Sequence, residues 1–163
     1  MGTYQQPRLR SALLLATLSL AAFASTAMAK PNLTGTWKLE PAKSDFGPMP
    51  GPTSMTRVIT HNDPSLAIKT TQSGQRGEFT TELKYTTDGK ESVNTTRMGD
   101  VKSVVSWDGD TLVVKYKINN PNAGELTFEE RWSVGDGGKS MTVKTKVTGP
   151  AEPIGLSLVF SKE

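Results

Sequence analysis

The sequence has no cysteine and only one histidine, His61. Without cysteine there is no disulfide, no thiolate metal site and no thiol nucleophile, so packing and sheet hydrogen bonds must supply the stability. One histidine is too few for the usual clustered metal site, and no nucleophile motif marks a partner for a Ser-His-Asp arrangement. His61 precedes Asn62-Asp63-Pro64, a turn signal, and reads as a solvated turn residue. We expect no metal, no cofactor and no catalytic residue. A membrane-length apolar run is also missing: the stretch Ala12 to Ala24 is broken by Thr17 and Ser19 and falls short of the ~20 residues a span needs.

That short run has a different reading. Arg8 and Arg10 precede it, and Ala27-Met28-Ala29 follows as a small-x-small cleavage site. Residues 1–29 are expected to be a cleaved secretory signal peptide, which places the protein in the periplasm or outside the cell. With no cysteine after the cut, a lipid anchor on an N-terminal cysteine is excluded. The remainder, 30–163, has the size of one domain with a real core. The chain has 19 Lys and Arg against 16 Asp and Glu; removing Arg8 and Arg10 leaves 17 against 16, a net charge of +1. A near-neutral export gives no argument for nucleic acid or for an anionic membrane as partner.

What the chain does have is alternation and turns. Asp88-Gly89, Asp108-Gly109 and Asp136-Gly137 each lie between segments of alternating polar and apolar residues, a strong hairpin signal. The pattern predicts strands at Gly35–Glu40, Met55–His61, Leu66–Gln72, Phe79–Tyr85, Val93–Arg97, Val101–Trp107, Leu112–Ile118, Leu126–Val134, Met141–Val147 and Ile154–Phe160. Between the first two, Pro41 to Pro52 holds four prolines and two glycines. That loop cannot join a ladder, has room for one helical turn at Ala42 to Phe46, and could cover a barrel mouth with Phe46 and Met49.

Registers follow from the rule that directly paired residues share a face. A two-residue loop at Asp108-Gly109 puts Val101, Val105, Trp107, Leu112, Val114 and Tyr116 on one side. A three-residue loop with Gly89 as a left-handed bulge pairs Leu83 with Val93 and turns Val93 inward. Near Asp136 the loop must be even and longer, so that Val134 and Met141 share a face. Outward positions are mostly Lys, Glu, Thr and Ser, which rejects a lipid-facing barrel and argues against membrane insertion. About ten antiparallel strands in an up-and-down meander close best into a barrel, which removes the exposed edges and leaves an interior for one small ligand. Thr70, Thr81, Thr95, Ser103 and Thr145 would line water or guest there. A filled two-sheet sandwich is the competing arrangement.

Two charges fall on the apolar face: Glu130, between Phe128 and Trp132, and Arg97, in line with Val93 and Thr95. A buried charge must be paired or must face water. They read either as polar anchors inside a cavity, Arg97 for a carboxylate or Arg97 with Glu130 as a pair, or as solvated rim residues. Glu129 and Glu130 point to opposite faces and cannot be a paired catalytic dyad. The candidate ligand-lining set is Phe79, Tyr85, Arg97, Trp107, Tyr116, Phe128, Glu130 and Trp132, the aromatics being equally explicable as core. The sequons at Asn32 and Asn94 read as chance matches.

Leu33-Thr34-Gly35-Thr36-Trp37-Lys38-Leu39, then Ala42-Lys43-Ser44-Asp45-Phe46, then the Tyr85 to Lys90 hairpin and the Leu158-Val159-Phe160 ending resemble small exported bacterial lipocalin-like proteins. More broadly they resemble the calycin group of lipocalins and fatty-acid-binding proteins. The likeness covers residues 30–163 and its named motif is Gly35-x-Trp37. It implies a barrel plugged at one end by Trp37, with Gly35 allowing close approach, a lid loop, and a small apolar ligand inside. Lipocalins have eight strands and a C-terminal helix and often pair the tryptophan with an arginine on the last strand, which this chain lacks. About ten strands are nearer the fatty-acid-binding proteins, whose helix pair after the first strand the proline-rich loop would replace.

The function these readings favour is a monomeric binding protein for a small apolar or amphipathic molecule, not an enzyme. A protein-interaction module using hairpin tips at Asp88, Asp108 and Asp136, such as a hydrolase inhibitor, is the alternative. An enzyme using Glu130 as acid or base is the third.

Overall fold

A computed structural model describes residues 1–2, 30–75 and 77–163. All but the first two residues of the expected signal peptide fall outside them. Ten strands form: β1 (Gly35–Leu39), β2 (Ser54–Asn62), β3 (Ser65–Gly74), β4 (Gly77–Thr86), β5 (Glu91–Thr96), β6 (Gly99–Asp108), β7 (Thr111–Asn120), β8 (Gly124–Gly135), β9 (Ser140–Thr148) and β10 (Ile154–Lys162). They make one antiparallel sheet in the order β4-β3-β2-β1-β10-β9-β8-β7-β6-β5. Chain neighbours pair except β4 and β5, and β1 pairs with β10, so the sheet curls into a nearly closed barrel rather than a sandwich.

The ring is interrupted between β4 and β5, where no backbone ladder forms. Side chains span the gap instead. Asn94 accepts the Lys84 N–H at 2.7 Å and donates to the Lys84 carbonyl at 2.9 Å, and Ser92 Oγ accepts the Thr86 N–H at 3.1 Å. A carboxamide has the donor and acceptor of a peptide group, so Asn94 stands in for a missing ladder residue at side-chain distance. This corrects the expected Leu83–Val93 register. Asn94 is buried and Val93 is 54% exposed, so every side chain of β5 faces opposite to the expectation. A one-residue shift of a strand has that effect.

The other hairpins keep their expected faces. β6 and β7 turn through Gly109-Asp110 rather than Asp108-Gly109, pairing Trp107 with Leu112, Val105 with Val114 and Ser103 with Tyr116. The shift is two residues, which preserves the inward side. Val134 pairs with Met141 across an even four-residue loop.

The core fills one end of the barrel. Leu33, Trp37, Ile59, Leu66, Val105, Leu112, Met141, Val143 and Phe160 are almost fully buried there. Trp37 donates from Nε1 to the Leu33 carbonyl at 2.8 Å, plugging the floor as the resemblance implied. Lys162 of β10 lies over the Trp37 ring at 5.2 Å, a cation where an arginine is missing. A Cβ on Gly35 (φ +144°) would overlap Lys162 Cε, so glycine makes room for that stacking.

The segment after β1 contains one 3-10 turn, Pro41–Lys43, and no α-helix. β1 is too short to pair the first half of β10, and the loop takes over: Asp45 and Ser157 exchange backbone hydrogen bonds at 2.7 and 2.9 Å. The loop then runs on to the open end of the barrel. Outward charges pair across strands, Lys69 with Glu82, Lys102 with Glu91 and Lys115 with Glu129. Among the described residues no helix is long and apolar enough to cross a membrane.

Candidate functional site: the barrel cavity

Above the packed floor the barrel is hollow. A cavity of about 840 Å³ opens between the Met49–Pro52 loop, the β3–β4 hairpin and the β5–β6 turn. That size suits a small organic molecule. The alternation of β3, β4 and β6 brings Ile68, Thr70, Phe79, Thr81, Leu83, Val101 and Ser103 to its wall. Larger side chains at those small threonine and serine positions would fill it.

A polar cluster sits deeper. Its centre is Arg57, on β2 between Met55 and Ile59, a residue sequence reasoning passed over. The same period-two rule that singled out Glu130 would have found it. The guanidinium is enclosed by protein, and desolvation pushes its pKa down while the opposing charge of Glu130 pushes it up. By accessible area the residue is only partly buried, because one side of it borders the cavity. It lies 4.9 Å from the rings of both Trp132 and Phe160, and its Nε and Nη1 donors, closed off from the cavity, have no acceptor among the described residues.

Glu130 lines the same cavity from β8. It accepts from the Tyr116 hydroxyl at 2.9 Å and from Trp132 Nε1 at 2.8 Å. Register explains the set: Tyr116 pairs with Phe128, Val114 with Glu130 and Leu112 with Trp132, all on the inward face. Burial is the largest cause raising both cavity phenols, with Glu130 adding to it; Tyr85 is pushed up to about 12 and Tyr116 higher still. Both stay neutral hydrogen-bonding groups at physiological pH. The cluster presents hydrogen-bonding groups and one cation to the cavity.

Of the expected lining residues, Phe79, Tyr85, Arg97, Tyr116, Glu130 and Trp132 border the cavity. Arg97 does so at the exposed mouth, 4.8 Å over the Phe79 ring, and forms no ion pair with Glu130 among the described residues. Its rim reading is the one realised. Trp107 and Phe128 do not line the cavity. Phe128 stacks flat on Tyr116 with 4.8 Å between ring centres. Trp107 belongs to the floor, where its Nε1 donates to Asp63 at 3.1 Å and its ring packs near His61. Asp63 also binds Lys30 at 2.8 Å and the Thr87 hydroxyl. Those bonds, Lys30 first, hold its carboxyl well below the usual carboxylate range. His61 is buried rather than solvated, its side chain only 5% exposed, with Nδ1 near the Leu33 N–H. Glu129 points outward to Lys115 and Arg131 while Glu130 points in, as the alternation requires.

No known protein family matches the sequence, and no curated protein matches it. Solved structures do. An abundant heat soluble (SAHS) protein from Ramazzottius varieornatus superposes with TM-score 0.62 at 12% identity, covering 80% of this chain and 94% of that one. A Schistosoma mansoni fatty-acid-binding protein, solved with arachidonic acid, gives TM-score 0.54 at 18% identity over 80% and 96%. A zebrafish ileal bile-acid-binding protein, solved with cholic acid, gives 0.53 at 18% over 80% and 98%. At these identities the likeness shows a shared fatty-acid-binding-protein-like barrel fold and leaves function to the site itself.

Proposed function

We propose that this protein binds one small apolar or amphipathic molecule inside its barrel and carries out no chemistry on it. The observation that carries this is the cavity of about 840 Å³, apolar along most of its wall and bordered by the Arg57 cation, the Glu130 carboxylate and the Tyr116 hydroxyl. A guest oxygen would lie against the Arg57 cation while its apolar part displaced water from Ile68, Phe79, Leu83 and Val101. Proteins of similar fold, solved in complex with arachidonic acid and with cholic acid, support the reading.

Export as a monomer is part of the proposal. It rests on the basic start, apolar run and Ala27-Met28-Ala29 site at the N-terminus, and on an outer wall of paired charges. Native mass spectrometry of protein recovered from periplasm or medium tests both parts. The expected species starts at Lys30 and carries one small molecule; an uncleaved chain, or one that takes up no lipid-like probe, contradicts the respective part.

A further inference from the structure

The charges on the cavity wall constrain the polar end of the guest. The Arg57 guanidinium lies between Trp132 and Phe160, and the residue borders the cavity, so a guest oxygen can approach this cation from the cavity side. Glu130 borders the same space, and its carboxylate already takes one bond from Tyr116 and one from Trp132. Its charge acts directly on Arg57. The deep cavity therefore holds one positive and one negative group. The Tyr85 and Tyr116 phenols add no charge, and Arg97 stands at the exposed mouth rather than at depth.

A guest carboxylate placed against Arg57 would leave this enclosed space with a net negative charge and stand in the field of Glu130. An ester, ketone or alcohol oxygen would take the same hydrogen bonds without that repulsion or the loss of carboxylate hydration. We propose that the cavity selects lipid-like guests with an uncharged, oxygen-bearing head over the same chain ending in a carboxylate, with Arg57 as donor and Glu130 as the discriminating charge. This rests on the binding function proposed above.

The test is a titration of the purified protein, near neutral pH, with lauric acid, methyl laurate and dodecanol, followed by calorimetry. Methyl laurate and dodecanol are expected to bind at least about tenfold tighter than laurate. In Glu130→Gln the laurate affinity is expected to rise so that the gap falls to about threefold or less. Laurate binding as tightly as the ester to the unmodified protein overturns the head-group selection and leaves the binding function standing. So does a Glu130→Gln protein, folded by circular dichroism, whose ratio is unchanged. If that variant does not fold, the ratio in the unmodified protein decides alone. Failure of all three probes to bind removes the binding function itself.

Discussion

Replacing Asn94 by alanine removes both hydrogen bonds that tie β5 to Lys84 across the interrupted ring. At about 1 kcal/mol net for each bond, the loss is about 2 kcal/mol. For a domain of this size that lowers Tm by roughly 8 °C. Val93→Ala, one residue away, trims a side chain that is 54% exposed. It should cost less than about 0.5 kcal/mol, or roughly 2 °C, because little apolar area leaves contact. The assay is thermal unfolding of the two variants beside the unmodified protein. Opposite facing of β5 would reverse the order, since a buried valine losing two methyl groups costs about 2 kcal/mol while an outward asparagine costs almost nothing. If Val93→Ala is the more damaging change, the side-chain bridge across the β4–β5 gap is wrong.

Removing one member of the interior charge couple should be worse than removing both: Arg57→Met and Glu130→Gln are each expected to cost about 2–3 kcal/mol, and the double variant less than about 1, as a chemical-denaturation cycle would show. Gly35→Ala should destabilise by about 1–2 kcal/mol, because its φ of +144° disfavours a side chain and its Cβ would displace Lys162 from Trp37. Acid should weaken the floor through Asp63. Its folded pKa is depressed below the unfolded value of about 3.9, so its contribution is present above that pH and fades as pH falls below it. Asp63→Asn should therefore lose less Tm than the unmodified protein over that acid limb. With the side chain 39% exposed, the difference should shrink in high salt.

Period-two alternation carried the number of strands, their limits to within a few residues, and the inward side of β6 to β9, because long strands repeat the pattern often enough to fix a face. β5 has six residues and one apolar member, Val93, and alternation took that residue for the core. What sets its face is a tertiary bond set from Asn94 to the Lys84 backbone, which no local pattern announces. Glu130 was legible as a charge on an apolar face. Arg57 is equally legible, a charge at period two between the apolar Met55 and Ile59 of β2. Trp107 shows a different limit: alternation says that a side chain faces in, while the stagger of strands around the barrel decides whether it meets the floor or the cavity; Phe128 is kept from the cavity by its flat stacking on Tyr116. Lys162 took the cation's place over Trp37 because ring stacking needs a positive charge at that height, not an arginine in particular.

Whether the hollow upper half of the barrel receives a guest is decided by nuclear Overhauser measurements on the protein titrated with dodecanol. The expected contacts run from the dodecyl chain to the methyl groups of Ile68, Leu83 and Val101, which face the cavity. Contacts confined to the outward methyl groups of Val58, Val93 and Val104 would place the molecule on the outer wall and contradict binding in the cavity.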